Sequence, residues 1–212
     1  MKLGVKDLKL YFVRHGKTEW NLDDRLQGVK DSPLLPQSYE DMKKCGLALK
    51  DIPFEAVYTS PIKRAKETAE GIVSQFDRAI PMYEREGFVE LSFGDLEGEK
   101  FLEAKTRFPD EMFYLRNHPD KYDPTPFNGE DYQSMIDRST RVVKDAIAET
   151  KDGPLLFVGH GAMLIACVRT LLGVPIERIR EVEGMIDNNS VTVLSYDGDK
   201  FTLDEWNNTD FL

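Results

Sequence analysis

Cysteine is scarce in this chain, with two among 212 residues, Cys45 and Cys167. They form no C-x-x-C pair and no metal-ligand spacing, which excludes a disulfide framework and argues against a zinc site. Each reads as a small core side chain. A basic surplus is missing too. The formal net charge is −10 and the sequence pI about 4.9, which excludes a general nucleic-acid binder, since that needs a basic face. A small anionic ligand stays open, because a few local arginines can outweigh a distant negative surface. No apolar run is long enough to span a bilayer, and residues 1–9 are charged, without the apolar core of a signal peptide. The expectation is a cytoplasmic protein with no nucleic-acid and no membrane partner.

The apolar share of 41% supplies a sizeable core. The length suits one α/β domain spanning residues 1–212, with room for an inserted lid. Histidine is nearly as scarce as cysteine, with three residues, and two of them stand in the same setting. Leu10-Tyr11-Phe12-Val13 is a buried-strand run that breaks into Arg14-His15-Gly16. Leu155-Leu156-Phe157-Val158 is a second, and it breaks into Gly159-His160-Gly161. Short apolar runs bounded by glycine read as buried strands, and glycine lets the chain turn at once. Ligands bind beyond the carboxyl ends of strands in open α/β sheets. Parallel neighbours would therefore bring His15 and His160 to one pocket.

Between these strands the pattern alternates. Residues 22–36 carry loop chemistry. Residues 37–50 read as a helix with Met42, Cys45 and Leu49 on one face and Ser38 as its cap. Phe54–Thr59 is a short strand. Ser60-Pro61 is a helix start, and the helix continues to about Gln75 with Ala65, Thr68, Ala69, Ile72 and Val73 on a small-residue face. Arg64 falls in its first turn, where a cation opposes the helix dipole; holding an anion there would explain it. Residues 79–83 read as a strand. Glu90 lies among Phe88, Val89, Leu91 and Phe93, and a partly buried carboxyl has the raised pKa of a general acid. Residues 100–115 read as helix, 117–128 as loop, and 132–150 as a long helix. Residues 95–130 resemble an insertion, a candidate lid, with His118 in its loop. A helix over residues 162–172, a short helical piece within 177–185, and a hairpin of 191–196 with 201–206 complete the chain.

Two histidines without a third ligand make a poor metal site. Two histidines with two arginines suit a phosphoryl group, since Arg grips phosphate oxygens bidentately and imidazole can be a nucleophile.

At these residues the sequence resembles the histidine phosphatase, or phosphoglycerate mutase-like, superfamily. The motifs run in order: Arg14-His15-Gly16-Lys17-Thr18-Glu19-Trp20-Asn21, Arg25-Leu26-Gln27-Gly28, Thr59 through Ala69, Glu90 through Gly98, Gly129-Glu130 and Gly159-His160-Gly161. The resemblance implies a mainly parallel doubly wound α/β sheet with helices on both faces, a small helical lid and a C-terminal hairpin. It implies His15 as nucleophile, Arg14, Arg64 and His160 as phosphoryl ligands with Asn21 assisting, and Glu90 as acid and then base. Gln27, Gly28 and Gly161 join the substrate-binding set. No metal and no cofactor are implied. The stretch Glu90-Leu91-Ser92-Phe93-Gly94 is the phosphatase style, where mutases place His-Tyr-Gly. The expectation is a phosphatase acting on a small phosphorylated metabolite, as a monomer or homodimer. A mutase and a catalytically silent phosphate-binding module are the alternatives. Phe93, Phe101, Phe108, Phe113, Tyr114 and His118 are candidates for a leaving-group pocket, with core packing the competing role for most of them.

Overall fold

Strand β1 (Leu8–Arg14) sits between parallel β4 (Leu155–Gly159) and antiparallel β5 (Val191–Tyr196). With β2 (Ala56–Thr59), β3 (Met82–Glu84) and β6 (Phe201–Asn208) they form one sheet in the order β3-β2-β4-β1-β5-β6. The structure is a computed structural model and describes residues 8–151, 153–181 and 184–212. The β1–β4, β2–β4 and β2–β3 pairings are parallel, and β5–β6 is the antiparallel C-terminal pair. Arg14 stands opposite Gly159 in the register, so the two strands end level and the next residues are His15 and His160. The His15 N–H donates to the Gly159 carbonyl at 2.9 Å, which extends the ladder one step to the nucleophile candidate itself.

All five residues of β4 are buried, as expected for a strand covered on both faces. Alternate residues serve opposite cores. Leu10, Phe12, Leu155 and Phe157 face one core, which also takes side chains from α6 (Tyr132–Glu149) and α7 (Gly161–Leu171). Val13, Val57, Leu156 and Val158 face the other, which takes side chains from α2 (Pro36–Leu49) and α3 (Lys63–Val73). Two further helices, α4 (Phe101–Arg107) and α5 (Pro109–Asn117), follow the irregular stretch that carries Glu90, and a single turn, α1 (Glu19–Leu22), follows β1.

Several boundaries differ from the sequence expectations. Ser38 does not cap α2. Leu35 is the cap, Pro36 takes the first position, and the Ser38 hydroxyl donates to the Lys17 carbonyl at 2.7 Å. Ser60-Pro61 does not begin α3, which starts at Lys63 after Ile62; the Ser60 hydroxyl instead accepts from the Ile62 N–H and pairs with His160. The strand expected at 79–83 is Met82–Glu84, since its register is set by pairing with Val57 to Thr59. The helix expected over 100–115 is two, broken at Phe108 by Pro109, which takes the first position of the second. Single turns at Pro119–Lys121 and Thr125–Phe127 punctuate the stretch expected to be loop. The piece expected within 177–185 is a turn at Ile176–Arg178; residues 182–183 lie outside the described residues. Cys45 and Cys167 are buried free thiols, both raised to about 12 by burial. Among the described residues no helix is long and apolar enough to cross a membrane.

Phe157 anchors the core beneath the site. Its ring lies 5.0 Å from Phe12, 5.4 Å from Tyr58 and 5.7 Å from Phe88, and it is fully buried. Phe157→Ala is expected to lower unfolding free energy by about 3–5 kcal/mol, read as a fall in denaturant midpoint; a loss below about 1 kcal/mol would mean the three rings close over the gap.

Candidate active site

Four segments distant in sequence meet at the level ends of β1 and β4. Arg14, His15, Asn21, Gln27, Gly28, Arg64 and Glu90 line one small cavity of about 130 Å³, together with Arg25, Phe93, Phe101 and Arg116. His160 stands behind this wall, its ring centre 5.2 Å from that of His15. Gly161 follows it. A Cβ at Gly161 would come within 3.2 Å of Arg14 Nε, so this residue keeps space for the guanidinium.

His15 is 3% exposed and its hydrogen bonds define one tautomer. Nδ1 lies 2.7 Å from the Gly16 carbonyl, which can only accept, so Nδ1 carries the proton. Nε2 lies 3.2 Å from Arg64 Nε, which can only donate, so Nε2 presents its lone pair. Burial, then Arg64 and Arg14, hold the imidazole well below its ordinary pKa. His160 is held well below as well, by burial first and then by Arg64, His15 and Arg14. Its Nε2 lies 2.8 Å from the Ser60 hydroxyl, while Nδ1 is buried with no partner among the described residues.

Arg64 is 1% exposed and every nitrogen is engaged. Nη1 donates to the Lys30 carbonyl at 2.6 Å and to Asp31 Oδ1 at 3.2 Å, and Nη2 to the Gly28 carbonyl at 2.8 Å. Burial lowers its pKa, and Glu90 and Asp31 oppose the shift. Arg14 Nη1 donates to the Ile186 carbonyl at 2.7 Å, and its Nε is buried without a partner among the described residues. Glu90 is clamped by three backbone donors. Leu91 and Met163 N–H reach Oε1 at 2.9 Å, and Ala162 N–H reaches Oε2 at 3.0 Å. The first turn of α7 supplies two of these, so the helix that follows His160 also fixes the carboxylate.

Several residues that hold this geometry were not in the sequence-derived set. Glu97 is 7% exposed and accepts from the N–H groups of Val29, Lys30 and Phe93 at 3.0–3.1 Å and from the Ser92 hydroxyl at 3.2 Å. It therefore staples the loop whose carbonyls hold Arg64. Gly28 has φ +55° and a Cβ there would fall 2.1 Å from Glu97 Oε1, so only glycine fits. Arg138 grips Glu130 through two nitrogens, at 2.7 and 2.6 Å, and donates to the carbonyls of Gly87, Val89 and Glu90. Asn188 Nδ2 donates to the His15 carbonyl at 2.8 Å. The motif pairs Glu97-Gly98 and Gly129-Glu130 were visible in the sequence; their tasks were not, and Arg138 and Asn188 carry no local signal.

Asn21 and Gln27 line the cavity. Their carbonyl oxygens are occupied: Asn21 Oδ1 accepts from the Thr18 N–H, and Gln27 Oε1 accepts from the Ser32 hydroxyl. His118 packs on Phe113 and Tyr114 and lines neither this cavity nor the one beside it; Phe93 and Phe101 line both. Among the described residues no three His, Cys, Asp or Glu side chains gather as a metal set.

A family model described as the histidine phosphatase superfamily, branch 1, matches residues 10–209. The uncharacterized phosphatase PhoE of Bacillus subtilis is 31% identical over 161 residues, 76% of each chain. A 2,3-bisphosphoglycerate-dependent phosphoglycerate mutase of Cytophaga hutchinsonii is also 31% identical, over 87% of this chain and 92% of that one. The solved structure of Bacillus stearothermophilus YhfR superposes with a TM-score of 0.90 at 29% identity, covering 96% of this chain and 98% of that one.

Two outcomes are expected. Because native His15 and His160 resist protonation, the unfolded chain binds more protons as pH falls below about 6.5, and stability is lost in that direction by up to about 1.4 kcal/mol per pH unit for each. His15→Asn should flatten the fall in denaturant midpoint between pH 6.5 and 5 by that amount; an unchanged slope would refute the depressed His15. Glu97→Gln should lower turnover at least tenfold in the native background and far less in an Arg64→Lys background, since it acts through the loop that holds Arg64. Equal losses in both would disconnect the two residues.

Proposed function

The chain belongs to the histidine phosphatase superfamily, and from that premise we propose that it hydrolyses small phosphomonoesters through a phosphohistidine on His15. The observation that carries the reading is the resting state of His15: Nδ1 proton committed to Gly16, Nε2 lone pair free of a proton, and a buried guanidinium at that same nitrogen. As the phosphorus approaches, the Arg64 Nε–H passes from Nε2 to a phosphoryl oxygen. Arg14 Nε and His160 Nδ1, both buried and unpartnered among the described residues, are the further groups that phosphoryl oxygens would satisfy. Charge spreads over those oxygens in the transition state, and fixed cations stabilise it without reorganising.

Nε2 attacks phosphorus and the P–O bond to the leaving group breaks. That oxygen keeps the bonding pair and takes a proton delivered through the Glu90 carboxyl group. In the second step the Glu90 carboxylate accepts a proton from water as its oxygen attacks phosphorus. The N–P bond breaks, its pair returns to Nε2, and inorganic phosphate departs. The arginines do the charge work, so the scheme uses no metal and no cofactor. The same reading makes residues 1–212 one domain with 95–130 as its lid, and a monomer or homodimer of the cytoplasm.

The C. hutchinsonii relative keeps the mutase reading in view, and one assay separates the two: phosphate release against isomerisation of phosphoglycerates. Phenyl phosphate should be hydrolysed with excess chelator present, and a strict metal requirement would refute the scheme. His15→Ala should abolish turnover and acid-labile labelling; labelling that survives would move the nucleophile elsewhere. Glu90→Gln should slow alkyl esters by on the order of 10²–10⁴-fold and activated aryl esters much less. Equal losses would remove Glu90 from the acid role.

A further inference from the structure

Ser60 is fully buried just past the carboxyl end of β2, and α3, which begins at Lys63, does not use it as a cap. Its N–H donates to the Val158 carbonyl at 3.1 Å, which hitches it to β4 two residues before His160. Its hydroxyl oxygen accepts from the Ile62 N–H at 3.2 Å and lies 2.8 Å from His160 Nε2. A hydroxyl has one proton to give. The Ile62 N–H cannot receive it, and His160 Nε2 is the other partner of that oxygen among the described residues.

The two tautomers of His160 treat this contact differently. With the proton on Nε2, two N–H groups converge on one oxygen, the Ser60 proton has no acceptor, and Nδ1 is left as a bare lone pair. With the proton on Nδ1, the Ser60 O–H donates to Nε2 while its oxygen still accepts from Ile62. Only the Nδ1–H then lacks a partner among the described residues, and buried polar groups are matched as a rule. Burial and the neighbouring arginines hold the ring neutral, so it carries a single proton. We propose that Ser60 is a positioning residue that fixes His160 as the Nδ1–H tautomer and so makes it a neutral donor to a phosphoryl oxygen. This role rests on the phosphoryl-binding half of the proposed function and deepens it. His15 carries its proton on Nδ1 as well, but there the proton is committed to a carbonyl and the lone pair is left for attack. In each ring the group held at one nitrogen decides what the other can do. The opposite tautomer of His160 would set a lone pair against an anionic oxygen, where no hydrogen bond forms.

With only three histidines in the chain, their ring ¹⁵N signals can be told apart, and the His160→Asn protein identifies those of His160. At neutral pH the native His160 should show a protonated Nδ1 and a bare Nε2; the reverse would overturn the proposal even if no variant folds. Ser60→Ala should shift protonation toward Nε2, and a signature that survives unchanged would remove Ser60 from the role. Orthovanadate supplies the oxyanion for a second measurement. Ser60→Ala should weaken its Kd on the order of three- to tenfold, the worth of one hydrogen bond. In a His160→Asn background the same change should cost no more than about twofold. The asparagine amide hangs from the same carbon as Nδ1, so it can donate to the oxyanion without reaching Ser60. Equal losses in the two backgrounds would make Ser60 a support of the loop alone and overturn the proposal. A native chain that binds no vanadate would overturn the phosphoryl site and this role together. One that binds it with the expected coupling, yet forms no acid-labile phosphate, would overturn the phosphohistidine reading and leave the Ser60 role supported.

Discussion

A guanidinium that water barely reaches is the constraint around which this site is built. Arg64 is buried with its charge intact, and a buried cation without partners costs several kcal/mol. The chain meets that demand with two carbonyls, one carboxylate and one imidazole nitrogen. Each partner then imposes its own requirement. Presenting the carbonyls of Gly28 and Lys30 to one side chain forces a left-handed residue at Gly28. The tight loop that results has backbone N–H groups to satisfy, and Glu97 accepts two of them while excluding any side chain at Gly28. The arrangement is a closed set, in which the cation, the loop and the acidic staple each need the other two.

Glu90 is held by different means. Among the described residues no side chain hydrogen-bonds its carboxylate; three backbone N–H groups hold it, and Arg138 fixes the chain around it through the carbonyls of residues 87, 89 and 90. Backbone donors are pre-oriented by the fold and lose little entropy on use. Arg64 and Glu90 are thus fixed separately, one by the loop before α2, the other by the first turn of α7, and both face one cavity.

Much of this was legible in the sequence. The strand runs ending in Arg14-His15-Gly16 and Gly159-His160-Gly161 are continuous apolar segments cut by glycine, and the parallel β1–β4 pairing does bring the two histidines together. Arg64 was legible because a cation in the first turn of a helix is electrostatically misplaced unless something accepts it. Ser60 misled, because serine before proline has the chemistry of a helix cap, yet its hydroxyl serves His160 and the helix begins later. Ser38 misled for the same reason. The strand at Met82–Glu84 was misplaced because its ends are set by hydrogen bonds to a partner, not by its own composition. Glu97, Arg138 and Asn188 could be seen as residues but not as parts of the site. Their long-range contacts run to backbone atoms 48 to 173 positions away, and no local periodicity encodes such a distance.

The position of β1 in the middle of the sheet has a consequence for biosynthesis. The strand that bears the nucleophile candidate is made first, yet both its neighbours come from the last third of the chain. Between completing residue 14 and emitting residue 191, a ribosome working at 5–20 residues per second takes on the order of ten to forty seconds. Until residue 159 is made, four consecutive large apolar side chains and two unpaired strand edges wait in the nascent chain, and one edge waits on to residue 191. Such a segment is an aggregation hazard and a natural client for a chaperone. Charged Lys9 and Arg14 flank the apolar run, in the position where gatekeeper residues slow edge-to-edge pairing. The arginine beside His15 would then guard the same strand during translation that it serves once folded.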